Sequence, residues 1–224
     1  MNRFSNIDCL IGMAEYEDKH FDLAIVDPPY FEGPNNQGYY NGLGQGKGAA
    51  IAPSKDYHVA DWEIPDQEYI DELIRCSKNQ IIWGINYFNV ALPGGRIVWI
   101  KAEGGTPFSQ ADIAYHSFYN RIDTFKCLWA GFWKDKKTNG EIRIHPTQKP
   151  VALYKWLLTK YAKQGDLILD TYVGSASSLI ACEDMGFEYV GFELDSEYHA
   201  AAVKRLENYR KQIKLFTPEE LNVK

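Results

Sequence analysis

The chain of 224 residues lacks the features that mark secreted, zinc-binding and membrane proteins. Its four cysteines are scattered, with no CxxC pair among them, so neither a disulfide framework nor a structural zinc site is expected. No apolar run approaches the roughly 20 residues that a membrane-spanning helix needs, and the N-terminus has no apolar stretch of the signal-peptide kind. These absences predict a cytoplasmic protein that contacts no membrane and binds no metal.

Positive charge is also scarce, since the net charge is -6. Phosphate contacts need lysine and arginine, so an acidic chain binds nucleic acid only if its basic residues are concentrated locally. Between positions 134 and 149, five basic residues stand against two acidic ones. The residues expected to contact nucleic-acid phosphates are Lys134, Lys136, Lys137 and Arg143. A solvated loop would have the same composition.

Short apolar runs alternate with amphipathic stretches, which is typical of a parallel β-sheet flanked by helices. The runs are almost continuously apolar, as expected for strands buried on both faces. A single domain over residues 1–224 suits a chain of this length. The predicted strands are 4–7, 21–26, 80–83, 96–100, 125–129, 167–169 and 189–192, and the predicted helices are 67–78, 151–162, 177–185 and 197–213.

One stretch does not follow this alternation. Between Phe31 and Lys55 the chain has six glycines and few residues that could pack in a core. Long connections without secondary structure are usually functional. We therefore expect a mobile glycine-rich loop over residues 31–60.

The tetrapeptide Asp27-Pro28-Pro29-Tyr30 directly follows an apolar run. A parallel strand delivers the residue at its carboxyl end to the crevice where open α/β sheets bind ligands. The two prolines stiffen the backbone and have no N–H groups. Asp27 and the Pro28 carbonyl can each accept one hydrogen of an exocyclic amine, and Tyr30 can stack on the base that carries it. This pattern predicts a catalytic corner, with a simple proline turn as the alternative.

A second motif lies between a predicted strand and a predicted helix, with the sequence Asp170-Thr171-Tyr172-Val173-Gly174-Ser175-Ala176. Small residues at such a turn let a ligand approach the backbone closely. Glu193 ends the next apolar run, about 20 residues beyond Gly174, where an acid can accept the ribose hydroxyls of a nucleoside. The pattern predicts a cofactor that contains a nucleoside, and a dinucleotide remains an alternative.

A third motif, His145-Pro146-Thr147-Gln148-Lys149-Pro150, precedes a predicted helix. Thr147 or Gln148 could cap this helix, and Lys149 near its N-terminus would favour a carboxylate. By itself the segment is more typical of a proline-bounded helix start than of a binding site. His145 is likewise more typical of a structural histidine than of a catalytic one.

Together the three motifs resemble those of the β-class DNA amino-methyltransferases, in which DPPY comes early and the cofactor motif follows an HPTQKP-like segment. The resemblance extends from about Asn6 to Tyr209. It implies an α/β fold with a seven-stranded, Rossmann-like, mostly parallel sheet, helices on both faces and the third strand at the N-terminus. It also implies S-adenosylmethionine as cofactor, DNA as partner and methylation of the adenine N6 amine. Cytosine N4 is the nearest alternative, because the family associates DPPY with adenine and SPPY with cytosine only statistically.

The resemblance also implies roles for individual residues. The target base would be held by Asp27, Pro28, Pro29 and Tyr30. The cofactor would be bound by Asp8, Asp27, Thr147, Lys149, Asp170, Tyr172, Gly174, Ser175, Ala176 and Glu193. Within that set, Glu193 would bind the ribose and Asp8 would lie beside the adenine. Thr147 and Lys149 would lie near the methionine carboxylate.

The chain departs from the family pattern in two respects. The family's FxGxG is here Tyr172-Val173-Gly174-Ser175-Ala176, so that alanine replaces the second glycine. The region that reads the DNA sequence is often large in the family, whereas here only residues 119–145 are available. We expect this small element to recognise the target, helped by the glycine-rich loop.

Other functions remain open on the sequence alone. An RNA or protein-amide methyltransferase would use a related tetrapeptide, although the permuted motif order favours DNA. A catalytically silent DNA-binding or regulatory module is disfavoured by the intact Asp27, Tyr30 and Glu193. A nicotinamide dehydrogenase would have no use for DPPY. A role in restriction-modification is expected, and a homodimer is left open.

Overall fold

The computed structural model describes residues 2–30, 64–104, 109–130, 133–135, 138 and 140–212. The glycine-rich segment 31–60 therefore lies outside the described residues, as do Lys136 and Lys137.

The described residues form strands and helices close to the predicted ones. The strands are β1 (Arg3–Asn6), β2 (Phe21–Val26), β3 (Ser77–Trp83), β4 (Gly95–Ile100), β5 (Ala111–His116), β6 (Ile122–Lys126), β7 (Trp129–Ala130), β8 (Trp133–Lys134), β9 (Leu167–Asp170) and β10 (Glu188–Glu193). The helices are α1 (Cys9–Ala14), α2 (Gln67–Cys76), α3 (Val151–Tyr161), α4 (Ser177–Met185) and α5 (Ser196–Lys211), with a short 3₁₀ helix at Ile85–Tyr87. The elements α1, β5, β8 and the 3₁₀ helix were not predicted, and the predicted strand 125–129 falls on the end of β6 and the start of β7.

Within the described residues, eight strands form one sheet in the order β1-β10-β9-β2-β3-β5-β4-β6, and β7 pairs with β8 in a separate hairpin. All neighbours in the large sheet are parallel except β5, which runs antiparallel to β3 and β4. The prediction of an α/β fold with a mostly parallel sheet is confirmed. The sheet has eight strands rather than the expected seven: β5, which was not predicted, lies between β3 and β4, and β6 pairs with β4 at one edge.

Strand β2 shows why helices cover both faces of the sheet. Leu23 and Ile25 pack in a core with residues of α3, α4 and α5. Ala24 and Val26 point to the other face and pack with residues of α1 and α2. Because side chains alternate along a strand, this continuous apolar run contributes to two cores.

The topology brings the beginning and the end of the chain to one edge of the sheet. β2 and β9 are parallel neighbours, with Leu23 opposite Ile168. The carboxyl ends of neighbouring parallel strands meet at the same edge, so Asp27, which follows β2, lies near Asp170, the last residue of β9. β10 pairs parallel with β9 on its other side, and its last residue is Glu193.

Candidate active site

A cavity of about 730 Å³ opens at this edge of the sheet. Its lining includes Tyr30 from the segment after β2 and Gly174 from the turn after β9. Glu193 at the end of β10 and Thr147 before α3 face the same space. The motifs that are far apart in sequence therefore share one cavity, which is the condition for transferring a group between two bound molecules.

Asp27 and Lys149 form a buried ion pair on the cavity wall. Lys149 Nζ lies 2.6 Å from Asp27 Oδ1, and the two side chains are 2% and 14% exposed, respectively. Burial raises the pKa of the Asp27 carboxyl, and the Lys149 ammonium acts against that rise. The family resemblance implied that Lys149 lies near the methionine carboxylate of the cofactor. Nothing in the sequence indicated that Lys149 pairs with Asp27.

The ring of Tyr30 is held by two residues that follow β3. Gly84 has φ 72°, and a Cβ at this position would overlap the Tyr30 ring, so both the backbone and the space require glycine. Tyr87 stacks on Tyr30 with ring centroids 5.0 Å apart and an interplanar angle of 9°. Sequence reasoning missed both neighbours, because nothing in the Gly84–Tyr87 segment indicates where Tyr30 lies.

Glu193 ties the glycine turn to the end of β10. Its Oε2 accepts a hydrogen bond of 2.8 Å from the Gly174 N–H, and its Oε1 accepts one of 3.0 Å from the Asp195 N–H. Burial raises the pKa of this carboxyl, and the two N–H groups lower it. Carboxylate oxygens can accept more than one hydrogen bond, so Glu193 can still accept hydroxyl groups of a ligand.

Two residues predicted to bind the cofactor, Asp170 and Ala176, lie behind the cavity lining. Asp170 is buried and accepts hydrogen bonds from the Ser178 hydroxyl and the Tyr172 N–H, and burial raises its pKa to about 7. Ala176 is fully buried with φ 62°, a left-handed conformation that favours glycine. The second glycine of the family pattern therefore matches a position that has a positive φ in this chain. Ala176 adopts this conformation with some strain. Both residues shape the turn from inside.

His145 and Thr147 form the wall next to the glycine turn. His145 Nδ1 and Thr147 Oγ1 are 3.2 Å apart, and the imidazole packs edge-on against Tyr198 at 4.3 Å. Burial lowers the pKa of His145 to about 3, so the ring is neutral at physiological pH. The uncharged His145 ring therefore lines the cavity beside Gly174.

The prediction that Thr147 or Gln148 caps the following helix is wrong. The N-cap of α3 is Pro150, which makes no side-chain capping bond, and the Val151 N–H donates to the Glu141 carboxylate instead. The Gln148 side chain is engaged elsewhere, because its Oε1 accepts from the Ile144 N–H at 2.9 Å. The cap comes from a residue outside the local motif, which a helix-start pattern does not reveal.

Asp8 and Tyr172 line the cavity on the side of α1. Asp8 is the N-cap of α1, and its side chain accepts from the Leu10 and Ile11 N–H groups. The Cys9 thiol donates to the Tyr172 hydroxyl at 3.6 Å. These contacts fix the start of α1 against the glycine turn.

Three further lining residues, Tyr69, Thr171 and Tyr198, were missed by the sequence interpretation. The Tyr69 hydroxyl and Thr171 Oγ1 share a hydrogen bond of 2.7 Å. Thr171 lies inside the glycine-turn motif and could have been included on that ground. Tyr69 and Tyr198 belong to helices whose apolar periodicity predicts only core packing.

The basic residues Lys134 and Arg143 both contact Trp129 near the β7–β8 hairpin. Lys134 Nζ and Arg143 Cζ lie 4.9 Å and 4.5 Å from the Trp129 ring centroid. Trp129 Nε1 donates to the Gln148 carbonyl at 2.6 Å. The structure thus groups two of the four predicted phosphate contacts around one indole, next to the segment that leads to α3.

The four cysteines are free and buried. Among the described residues, no group of three His, Cys, Asp or Glu side chains is placed to hold a metal ion. In this part of the chain no helix combines the length and the apolar character needed to cross a membrane.

Known proteins share both the sequence pattern and the fold. A sequence model of the family described as "DNA methylase" (N6/N4 methyltransferases) matches residues 107–204. The type II methyltransferase M2.MboI of Moraxella bovis is 24% identical over 237 residues, which cover 88% of this chain and 85% of that protein. Residues 107–204 thus resemble the N6/N4 DNA methylases, and the similarity to a type II methyltransferase extends over most of the chain.

Solved structures of DNA methyltransferases have the same fold as this chain. The crystal structure of the M1.HpyAVI–SAM complex is 18% identical, with a TM-score of 0.57, and the match covers 92% of this chain and all of the other. The PvuII DNA methyltransferase, which is cytosine-N4-specific, is 13% identical, with a TM-score of 0.56 and coverage of 97% and 89%. The family match contains Lys149, Gly174 and Glu193 but not Asp27, which geometry alone brings to the same cavity.

Proposed function

We propose that this protein is a DNA methyltransferase that transfers a methyl group from S-adenosylmethionine to the N6 amine of adenine in DNA. The observation that carries the proposal is the shared cavity, onto which Tyr30 and Gly174 both open. Its volume of about 730 Å³ lies within the range of small-ligand sites, roughly 300–1,000 Å³.

The donor and acceptor groups on the cavity wall suit S-adenosylmethionine. The Glu193 carboxylate would accept the ribose hydroxyls, and Thr147 would donate to the methionine carboxylate. Asp8 and Tyr172 would contact the adenine from the side of α1. When bound, this cofactor supplies a methyl group on a positively charged sulfur, so no protein nucleophile is needed.

The corner after β2 would hold the target amine. Asp27 and the Pro28 carbonyl each accept one amine hydrogen, which directs the nitrogen lone pair out of conjugation with the ring. Tyr30 stacks on the base, and Gly84 and Tyr87 keep its ring in position. An ionised Asp27 would also accept the proton that the nitrogen loses after methylation.

DNA binding requires local positive charge and an exposed target base. The amine of a paired base is engaged in the duplex, so the base must rotate out of the stack at a cost of about a few kcal/mol. Lys134 and Arg143, together with Lys136 and Lys137, would contact the phosphates around it. We assign target recognition to residues 119–145 within a single methyltransferase domain.

Cytosine N4 methylation is the second candidate, because the same corner accepts either amine and the cytosine-N4-specific PvuII enzyme shares the fold. Expression in a host without either modification, followed by nucleoside analysis of its DNA, distinguishes the two. We expect N6-methyladenine, and sequencing with modification detection then gives the recognition site. N4-methylcytosine would select the second candidate. Unmodified DNA alongside abundant folded protein would contradict both.

A further inference from the structure

The ammonium of Lys149 is enclosed at the cavity wall with a single acceptor in contact. Its side chain is 2% exposed, and in the described part of the chain Asp27 Oδ1 is the one hydrogen-bond acceptor recorded for it. The rings of Trp83 and Tyr30 surround it, with centroids 5.3 Å and 5.8 Å from Nζ. The fold therefore pairs the Lys149 ammonium with Asp27, and the surrounding rings exclude most water from the pair.

A carboxyl group in such a setting takes up a proton unless something compensates for lost hydration. Burial raises the pKa of Asp27, and Lys149 is the strongest influence in the opposite direction. A protonated Asp27 would present an O–H donor on one oxygen, whereas the amine of a base needs an acceptor. A protonated Asp27 keeps one acceptor oxygen, so the charge of Asp27 decides how strongly it holds the target amine.

Other titratable groups near Asp27 do not replace Lys149. They are Asp112 on β5, Lys101 after β4, Tyr154 on α3, Asp170 at the end of β9, and Tyr30. Lys101 and Asp112 form their own ion pair at 2.6 Å, so their effects on Asp27 oppose each other. Burial raises the pKa of Tyr30 and of Tyr154, which keeps both phenols neutral.

We infer that Lys149 is a positioning residue for the proposed reaction, whose ammonium keeps the Asp27 carboxylate ionised and fixed at the cavity. The catalytic consequence rests on the proposed function, whereas the control of the Asp27 charge does not. Lys149 acts through Asp27, and the two residues form one unit built from segments 122 positions apart.

Titration of Asp27 tests the inference without any turnover. The ¹³Cγ signal of labelled aspartate, assigned by its loss in Asp27→Asn, is followed against pH in the wild type, Lys149→Met and Lys149→Gln. Both variants remove the charge, and Lys149→Gln retains a donor, so it serves if the methionine variant folds poorly. We expect the Asp27 midpoint to rise by at least about one pH unit in both variants. Lys149→Arg, which retains the charge, should return it toward the wild-type value.

Lys155→Met is the matched control, because it removes an ion-pairing lysine from the same region. Lys155 pairs with Asp184 on α4 and makes no contact with Asp27. The pH midpoint of the Asp27 titration in Lys155→Met should equal that in the wild type. An unchanged midpoint in both Lys149→Met and Lys149→Gln would overturn the inference, since a purely structural lysine would lower stability without moving the titration.

The pH profile of methyl transfer then links the titration to catalysis. In Lys149→Gln the acid limb of kcat should move to higher pH with the Asp27 midpoint, and in Lys149→Arg it should not. If the midpoint moves but the limb stays, the role in catalysis is refuted. If the wild type methylates no DNA, the proposed function fails, while the titration still decides the control of Asp27 by Lys149.

Discussion

Arg205 on α5 joins the glycine turn to the segment before α3. Its guanidinium donates to the Ser175 carbonyl at 2.6 Å and to the Glu141 carboxylate at 2.7 Å. The same carboxylate accepts from the Val151 N–H at the start of α3. The Arg205 and Glu141 side chains are 14% and 12% exposed, so the pair is largely buried. One ion pair therefore holds together three segments that build the cavity.

Arg205→Met should destabilise the protein strongly. Removing one partner leaves the Glu141 carboxylate buried without its cation, which costs about 3–5 kcal/mol in comparable pairs. Urea denaturation measures the change in the free energy of unfolding. Arg210→Met is the control, because Arg210 is half exposed in its pair with Glu183, and such pairs contribute about 1 kcal/mol or less. Equal losses in the two variants would show that the Arg205 pair has no special structural role.

Gly84→Ala should impair methyl transfer more than cofactor binding. The new Cβ would overlap the Tyr30 ring and force it from its position, whereas Gly84 does not line the cavity around Gly174. Calorimetry of cofactor binding and an assay of methyl incorporation into DNA separate the two effects.

Gly165→Ala provides the matched control for Gly84→Ala. Gly165 also has a positive φ, of 93°, but a Cβ there meets nothing within 4 Å. Both substitutions add backbone strain of about 1 kcal/mol, and only Gly84→Ala adds the collision with Tyr30. If both variants lost methyl transfer equally, the position of the Tyr30 ring would not be the cause.

Tyr87 is expected to support Tyr30 through its ring rather than its hydroxyl. It is 60% exposed, yet it stacks on Tyr30 almost in parallel. Aromatic pairs of this kind contribute about 0.5–1.5 kcal/mol, so Tyr87→Ala should lower kcat/KM roughly two- to tenfold. Tyr87→Phe should remain close to the wild type. A loss in Tyr87→Phe as large as that in Tyr87→Ala would point to the hydroxyl instead.

Asp170 should make stability depend on pH. Its pKa of about 7 in the fold compares with about 3.9 in an unfolded chain, so the folded protein binds this proton more tightly. The resulting stabilisation is complete below about pH 4 and is lost as the pH rises to about 7. Relative to the wild type, Asp170→Asn should therefore gain stability as the pH rises from about 4 to about 7 in urea denaturation. A difference that stays constant with pH would contradict the raised pKa.

The fold was largely predictable because its buried strands are almost continuously apolar runs and its helices have an amphipathic period. Helix α4 and strand β2 were predicted with their observed bounds. β5 was missed because Asp112 and His116 leave only three consecutive apolar residues, 113–115, between them. α1 was missed because its six residues are too few for a helical period to show.

The motifs predicted which segments line the cavity, but not how they contact one another. Asp27, Tyr30, Gly174 and Glu193 could be selected because residue type and strand position coincide. The partner of Lys149, the cap from Glu141 and the space that Gly84 leaves for Tyr30 are contacts between distant segments. Local sequence carries no information on such contacts, so only the folded chain shows them.

The central claim is that Asp27 holds the amine of a base while the cofactor occupies the same cavity. Its most direct test uses Asp27→Ala, with calorimetry of S-adenosylmethionine binding and transfer of a radiolabelled methyl group to DNA containing the recognition site. We predict cofactor affinity that is at most moderately weakened and methyl transfer reduced by orders of magnitude. Near-normal methyl transfer by Asp27→Ala would contradict the claim.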